Sequence, residues 1–227
     1  MLGIDEAGRG PLAGPVAVGV VSVPEGFDVA KEFPGVKDSK KLSEKRREEI
    51  FERLVTMAGG IEGDPDTTTS LRSVGYGAGV RFVVEFESAA VIDKEGIAPS
   101  VRRALSRGVN ALAPDAALVK VQLDGALRAP PEYAQETIIN GDELIPLISL
   151  ASIAAKVSRD RLMVAYALEY PLYGFEKHKG YGTREHYALL AMHGPCTIHR
   201  RSFLHEVEDK AKNRSKNTSF FMRRVVG

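Results

Sequence analysis

The spacing of apolar residues predicts a sheet that begins close to the first residue. The valine-rich segment 14–23, bounded by glycine and proline, has the pattern of a buried strand. A short bend with Gly and Pro separates it from the apolar residues 1–4, so the two are expected to pair as antiparallel strands. Alternation over 80–87, an apolar run at 117–123 and a short segment at 136–140 predict three further strands.

Apolar residues at a helical period predict helices between and after the strands. Ser43 is a candidate N-cap for one helix, and longer patterns cover 97–112 and 146–170. Another helix is expected to begin at Thr183. The Gly-, Asp- and Thr-rich stretch 58–79 has neither period and predicts a long loop. Strands come first, strands and helices alternate next, and helices follow, which predicts a mixed sheet packed between helices.

Composition limits the class of protein. The chain has 227 residues, 44% hydrophobic and 27% charged, which is typical of a globular protein with a buried core. We expect one main domain, 1–192, and a basic C-terminal extension, 193–227, that is partly helical, with the end a candidate for disorder. Cys196 is the only cysteine, which excludes an intramolecular disulfide and a multi-cysteine zinc site. No signal peptide or bilayer-spanning run is recognisable, so a cytoplasmic, monomeric protein without a membrane partner is expected.

The charge is distributed unevenly along the chain. The formal net charge of +1 does not by itself indicate a nucleic-acid partner. From His193 onward, however, there are eight lysines and arginines and three acidic residues, so this segment has a net charge of +5 and the rest of the chain a net charge of −4. That asymmetry fits a surface for a phosphate backbone. It fits equally a disordered basic tail after Lys210.

Acidic residues end two of the predicted strands. Asp5 and Glu6 follow the first, and Asp124 follows the run 117–123. Neighbouring strands lie about 4.8 Å apart, so acids at adjacent strand ends can share a hard cation such as Mg²⁺. Adjacent residues of a regular strand face opposite sides, so Asp5 and Glu6 act together only if the strand bends or ends there. Both segments also have a plain interpretation, because Asp-Glu before Gly-x-Gly and Asp-Gly are common in solvated turns.

Two loops carry candidate ligand-binding residues. Gly8-Arg9-Gly10 can bring backbone N–H groups and a guanidinium to a phosphate or a sugar. The lysine-rich loop at 37–41 either holds phosphates or is simply solvated. In the glycine-rich loop 174–183, Tyr181 suits stacking against a sugar or base. The alternative is a turn with a packed tyrosine.

The helix predicted at 146–170 has a polar side that includes Lys156 and Asp160. Their spacing of four residues allows a local ion pair on a solvated surface. The same side can instead present Asp160 to the acidic strand ends. The pattern leaves both interpretations open.

Taken together, these segments resemble type 2 ribonucleases H, the ribonuclease HII family. The resemblance extends along nearly the whole chain, and its motifs occur in the order that the family shows. Six such motifs in order are highly specific, although each alone is weak. They are 5–10 (DEAGRG), 38–42 (DSKKL), 123–125 (LDG), 141–160 with its GD, SIAAKV and RD elements, 178–183 (HKGYGT) and 199–203 (HRRSF).

The resemblance implies a ribonuclease H-like fold with a mixed five-stranded sheet flanked by helices. It implies hydrolysis of RNA in RNA–DNA hybrids and incision 5′ of single ribonucleotides embedded in duplex DNA, leaving 3′-hydroxyl and 5′-phosphate ends. Two Mg²⁺ or Mn²⁺ ions would assist the reaction. The implied catalytic and metal-binding residues are Asp5, Glu6, Asp124 and Asp160. The implied substrate-binding residues are Gly8, Arg9, Gly10, Ser39, Lys40, Lys179 and Tyr181, of which Gly8–Gly10 would contact the ribose 2′-hydroxyl.

Three other functions share some of these features. A junction resolvase also uses strand-end acids and metal, but Gly8-Arg9-Gly10 with Tyr181 argues against it. A non-catalytic binder of hybrids would gain nothing from acids concentrated beside phosphates. A nucleotide-binding protein would need the Gly-Lys-Ser/Thr element that this sequence lacks.

Overall fold

The computed structural model describes residues 1–36, 41–62, 70–73 and 79–204. In these ranges the strands are β1 Leu2–Ala7, β2 Val16–Ser22, β3 Ile61–Glu62, β4 Ser70–Ser73, β5 Arg81–Glu87, β6 Lys120–Asp124 and β7 Ala134–Ile138. The α-helices are α1 Val29–Glu32, α2 Glu44–Met57, α3 Ala89–Glu95, α4 Ile97–Leu112, α5 Gly141–Leu144, α6 Pro146–Glu169, α7 Phe175–His178 and α8 Arg184–His193. None of the helices described is long and apolar enough to cross a membrane.

The strands form one mixed sheet in the order β3-β4-β5-β2-β1-β6-β7. β1 pairs antiparallel with β2, as the short bend between them predicts. β6 joins the other side of β1 in parallel, and β7 continues parallel to β6. The mixed sheet flanked by helices is therefore confirmed.

Helices cover the two faces of the sheet and form two apolar cores. On one face α6 packs against β1 and β2, with α2 beside it, around residues such as Phe51, Phe82 and Leu150. On the other face α4 packs against β2 and β5, around residues such as Val20 and Leu105. The apolar side predicted for α4 is buried, whereas α6 also buries Ser149 and Ser152 of its polar side and leaves the apolar Val164 exposed.

The long helix α6 lies unusually close to the sheet. A Cβ atom added at Gly19 of β2 would stand 2.3 Å from the backbone oxygen of Ala151 in α6. Only glycine fits at this contact, and the small residues Ala151 and Ala155 of α6 face it. The close approach brings the polar side of α6 to the strand-end acids.

The structure corrects three predictions of local structure. The stretch 58–79 contains two short strands, β3 and β4, which extend the sheet from the expected five strands to seven in the described ranges. They lack the alternation that would reveal them, because both β3 residues are exposed. The strand predicted at 117–123 begins later, at Lys120, because a 3₁₀ turn occupies Ala116–Leu118. Asp115 caps that turn by accepting a hydrogen bond from the N–H of Ala117.

The beginning of the predicted C-terminal extension packs against the N-terminal segment. His199 forms an isolated antiparallel bridge with Ala13. Helical backbone begins at 201–204, where the described residues end. The domain division at 192 and 193 stays a prediction, and the tail after Lys210 lies outside the described residues.

Candidate active site

The parallel pairing of β1 with β6 brings three acids to one edge of the sheet. Ile4 pairs with Leu123, so Asp5 and Asp124 follow at the same end of the two strands. The charges of Asp5 and Glu6 interact with each other, and both interact with that of Asp124. β1 continues to Ala7, so the strand does not end at the acids as expected, but its pairing with β6 does.

Asp5 is buried and held from two sides. Only 5% of the residue is exposed. Its Oδ1 accepts a hydrogen bond of 2.7 Å from the N–H of Glu6, and its carboxylate also accepts one from the Ser152 hydroxyl on α6. Burial first, and the charge of Glu6 second, raise the pKa of Asp5 well above its usual range. The site therefore concentrates negative charge that a bound cation would stabilise.

Glu6 has one satisfied and one unsatisfied oxygen. Its Oε1 lies 3.2 Å from Nη1 of Arg9. Its Oε2 is buried and has no hydrogen-bond partner. Burial raises the pKa of Glu6, while Arg9 opposes the increase. A buried carboxylate oxygen without a donor is costly, and a divalent cation is a partner that suits it.

The residues present therefore fit a divalent metal ion. Asp5, Glu6 and Asp124 supply the oxygen ligands that Mg²⁺ and Mn²⁺ take. Within the ranges described, no three Asp, Glu, His or Cys side chains are already arranged to hold such an ion.

Asp142 joins this edge of the sheet, although the sequence analysis did not assign it a role in the site. It is fully buried, and its backbone N–H donates a hydrogen bond of 3.3 Å to Oδ1 of Asp124. Ser149 of α6 donates its hydroxyl to the backbone oxygen of Asp142. The sequence contained one signal for Asp142, the Gly141-Asp142 pair of the fourth motif. That pair has the composition of a turn.

Asp160 lies on α6, eight residues after Ser152, the residue that contacts Asp5. Its Oδ1 forms an ion pair of 2.8 Å with Nζ of Lys156, the local pair that the spacing allows. None of the interactions described for Asp160 involves Asp5, Glu6 or Asp124. Its role as a metal ligand stays a prediction, and the contacts favour Asp142 for the fourth position.

Tyr181 lies next to the Gly8–Gly10 segment, at the surface. The residue is 40% exposed, and its ring centre lies 5.5 Å from Nζ of Lys156 and 5.7 Å from Cζ of Arg159. Gly180, just before it, accepts a hydrogen bond of 2.8 Å from the N–H of Leu12. An exposed ring flanked by two cations is suited to a sugar or base beside a phosphate.

The other predicted substrate-binding residues lie in three different surroundings or outside the described residues. The ammonium of Lys179 donates to the backbone oxygen of Glu176, so it is directed back to its own turn. Arg9 and Gly10 are exposed at the surface. Ser39 and Lys40 lie outside the described residues.

Buried histidines support the loop that carries Tyr181. His186 Nδ1 lies 2.9 Å from the backbone oxygen of Tyr181, so this nitrogen carries the proton and donates it. His186 Nε2 then accepts from Nε2–H of His199 at 3.0 Å, and His199 Nδ1 accepts from the N–H of Cys196 at 3.0 Å. The ring of His178 stacks on that of His186 with centroids 4.3 Å apart.

His186 and His199 are neutral near neutral pH. Burial lowers the pKa of His186 to about 4. Burial, and then the charge of His186, lower the pKa of His199 to about 4 as well. A chain of neutral rings with fixed tautomers can hold the Tyr181 loop in one position.

Known proteins resemble this chain over most of its length. The family model described as Ribonuclease HII matches residues 2–206. The chain belongs to the ribonuclease HII family. It is 42% identical over 203 residues to the ribonuclease HII of Bacillus velezensis, a match that covers 88% of this chain and 68% of that protein. Membership of the ribonuclease HII family supports ribonuclease H endonuclease activity.

Solved structures show the same fold at lower identity. The ribonuclease H2 from Pyrococcus horikoshii OT3 is similar with a TM-score of 0.62 and 23% identity, over 92% of this chain and 97% of that one. Bst-RNase HIII, solved in complex with Mn²⁺, is similar with a TM-score of 0.57 and 17% identity, over 85% of this chain and 62% of that one. The ribonuclease H fold of this family member is thereby shown.

Proposed function

We propose that this chain hydrolyses RNA in RNA–DNA hybrids and incises duplex DNA 5′ of single embedded ribonucleotides, leaving 3′-hydroxyl and 5′-phosphate ends. The observation that carries the proposal is the position of Gly8–Gly10. One residue separates Gly8 from the buried Asp5 and the half-buried Glu6, Arg9 and Gly10 are exposed, and Arg9 is paired with Glu6. A group that contacts ribose would therefore lie beside a group that cleaves phosphodiesters.

The acids at the sheet edge are proposed to hold Mg²⁺ or Mn²⁺, with two ions present during catalysis. Asp5, Glu6 and Asp124 are three of the ligands, and the unpartnered oxygen of Glu6 supports this assignment. The Mn²⁺ complex of Bst-RNase HIII, a protein of the same fold, also supports it. When bound, such ions supply a nucleophilic water and stabilise the leaving oxygen of an in-line displacement.

Asp142 is proposed as the fourth acid in place of Asp160. Its N–H contacts Asp124, and its burial removes it from solvent screening. Asp160 already has a cationic partner in Lys156. The Asp160–Lys156 pair lies near the ring of Tyr181. Asp160 is therefore better placed to hold Lys156 against a phosphate than to bind a metal ion.

Discrimination between ribose and deoxyribose is proposed to come from hydrogen bonds to the 2′-hydroxyl. Arg9 and Gly10 expose backbone N–H groups, and within the described ranges neither N–H donates to an acceptor of the protein. A 2′-hydroxyl supplies an acceptor, whereas deoxyribose leaves the donors unpaired. Tyr181 would stack beside the same sugar. Substrate contacts by Ser39, Lys40 and Lys179 remain proposals from the resemblance.

Product mapping tests this function. We would incubate the protein with Mg²⁺ or Mn²⁺ and three substrates: a DNA duplex with one ribonucleotide, a continuous RNA–DNA hybrid and a four-way DNA junction. We expect a nick on the 5′ side of the ribonucleotide with a 3′-hydroxyl that a polymerase can extend, and no cleavage of the junction. Cleavage of the junction alone would indicate a resolvase, and tight binding without cleavage would indicate a hybrid-binding protein.

Metal binding has its own test that does not depend on activity. Mn²⁺ should raise the thermal unfolding midpoint of the wild-type protein, because an ion that binds only the folded state stabilises it. The increase should be smaller in Asp5→Asn, which removes one ligand charge. Equal stabilisation of the two proteins would contradict the placement of the ions at this edge.

A further inference from the structure

Two arginines are buried directly beneath the Gly8–Gly10 segment. Arg159 of α6 and Arg200, just before residues 201–204, each have an exposed fraction of 0%. Within the described ranges neither guanidinium forms an ion pair with a carboxylate. Burying a charge without an opposite charge is costly unless every donor finds an acceptor. Two such residues side by side require a reason.

The guanidinium of Arg200 is satisfied by backbone oxygens of the N-terminal segment. Its Nη2 donates to Gly8 at 2.7 Å, its Nη1 to Arg9 at 2.9 Å and its Nε to Gly14 at 2.9 Å. Its own backbone N–H donates to the oxygen of Leu12 at 2.8 Å. Arg200 therefore fixes both ends of the segment that joins β1 to β2.

Arg159 completes the set from the helix side. Its Nη2 donates to Ala13 at 3.1 Å, its Nε to Pro15 at 2.8 Å and its Nη1 to Lys179 at 3.0 Å. The contact with Lys179 connects the N-terminal segment to the loop that carries Tyr181. The two arginines thus satisfy six backbone oxygens with planar forks of fixed geometry, which a lysine cannot reproduce.

This arrangement determines which way the peptide groups of the segment face. A trans peptide places C=O and the following N–H on opposite sides, and the described residues contain no cis peptide bond. Because the oxygens of Gly8 and Arg9 point inward to Arg200, the N–H groups of Arg9 and Gly10 point outward. Both of these residues are exposed.

The requirement for glycine at position 8 has the same origin. Gly8 has a φ of +88°, which L-residues with a side chain rarely adopt. A Cβ atom added there would lie 2.1 Å from Nε of Arg159. Glycine is therefore required at position 8 to leave room for the side chain of Arg159, as well as to let a ligand approach the backbone.

Arg200 is itself held in place from a neighbouring element. Asp93 of α3 accepts hydrogen bonds from the N–H of Arg201 at 2.8 Å and from that of Ser202 at 2.9 Å. This carboxylate caps the helical turn that begins just after Arg200. The arginine is consequently anchored on both its backbone and its side chain.

We propose that Arg159 and Arg200 are positioning residues that orient the N–H groups of Arg9 and Gly10 toward the substrate and thereby determine selectivity for ribose. The proposal rests on the proposed function for the identity of the ligand. The orientation of the segment itself can be measured on the free protein.

The test compares Arg159→Lys and Arg200→Lys with Arg161→Lys. Arg161 is a matched control because it lies on the same helix but pairs with Glu48 and Glu52 on another surface. Each substitution keeps the charge and removes the planar fork. Hydrogen exchange of peptides covering 8–15 measures the order of the segment, and equilibrium binding without divalent ions compares a ribonucleotide-containing duplex with an all-DNA duplex.

We expect the first two variants to exchange in 8–15 at least about tenfold faster than wild type. We also expect them to lose most of the binding preference for the ribonucleotide, while Arg161→Lys retains both properties. Unchanged exchange and unchanged preference in folded Arg159→Lys and Arg200→Lys would overturn the proposal, as would equal effects in Arg161→Lys. If wild type itself shows no preference for the ribonucleotide, the proposed function fails, whereas hydrogen exchange still decides whether the arginines order the segment.

Discussion

The carboxylates in and near the site differ in the charged groups that lie beside them. Asp160 is paired with Lys156, and one oxygen of Glu6 is paired with Arg9. Asp142 is fully buried against Asp124. Acids crowded together gain most from a metal ion, because each carboxylate makes ionisation of its neighbours more costly.

A pair of substitutions distinguishes the two candidates for the fourth ligand. Asp142→Asn should lower kcat on the order of 100-fold, because it removes a ligand charge next to Asp124. Asp160→Asn should lower kcat by less than about tenfold, since it only releases Lys156. Steady-state cleavage of a single-ribonucleotide duplex in Mg²⁺ measures both. A larger loss in Asp160→Asn, with both variants folded by circular dichroism, would restore Asp160 to the metal site.

Three acids were predictable from sequence, and one was not. Asp5, Glu6 and Asp124 follow recognisable apolar strands, so their meeting follows from sheet geometry. Asp142 follows a strand too, but Gly141-Asp142 has the composition of a turn and its contact with Asp124 depends on the course of α5. Arg159 and Arg200 gave no signal of burial, because arginine in an amphipathic or basic stretch is usually solvated.

Among the elements, α6 determines how closely a hydrogen-bond donor approaches Asp5. Gly19 in β2 allows the backbone of α6 to approach at Ala151, and the next residue, Ser152, then reaches Asp5. A helix one methyl group farther away would weaken that hydrogen bond. Gly19, which lies opposite Asp5 in the pairing of β1 with β2, thus controls the contact between Asp5 and α6.

Gly19→Ala tests this dependence. The added Cβ cannot fit 2.3 Å from the oxygen of Ala151, so the helix must shift. We expect a decrease of about 1–3 kcal/mol in the free energy of unfolding. Urea denaturation measures it, with Gly10→Ala as the control, because among the described residues, apart from its chain neighbours, none has an atom within 4 Å of a Cβ added there. A decrease in Gly19→Ala no larger than in Gly10→Ala would show that α6 does not depend on this contact.

The elements that sequence could predict are those with a long periodic pattern. α4 and α6 match the predicted helices closely, since each buries one face over many turns. β3 and β4 escaped prediction because they are short, lie at the edge of the sheet and bury little. β4 pairs with β5 and β3 pairs with β4, so both strands depend on their neighbours in the sheet.

On the scale of the whole molecule, buried polar residues join segments that are distant in sequence. Arg159 and Arg200 connect the N-terminal segment to α6 and to the region after α8. The histidines connect the Tyr181 loop to α8 and to the segment at Cys196. The site is therefore assembled by long-range polar contacts in addition to the apolar cores.

The histidines make stability depend on pH. His186 and His199 have folded-state pKa values of about 4, below the value of about 6.5 in an unfolded chain. Between these values the unfolded state binds more protons, so stability falls as the pH falls from about 6.5 to about 4. We expect each of the two histidines to contribute about 2–3 kcal/mol to this loss across the window.

Chemical denaturation at a series of pH values measures the effect. His199→Gln should flatten the dependence over this window, because it removes one titrating group and can still donate and accept. His193→Gln is the control, since His193 is exposed on α8. A pH dependence in His199→Gln as steep as that of the wild type would contradict the assignment of neutral, buried histidines, because the opposing contributions of Asp5 and Glu6 are present in both proteins.

The central claim is that acids at the β1–β6 edge cleave next to a recognised ribose. The most direct measurement is Mg²⁺-dependent cleavage of an end-labelled DNA duplex with one ribonucleotide, beside the all-DNA duplex and beside Asp5→Asn. We expect a single nick 5′ of the ribonucleotide by the wild-type protein, with none in either control. Cleavage of the all-DNA duplex, or undiminished cleavage by Asp5→Asn, would contradict it.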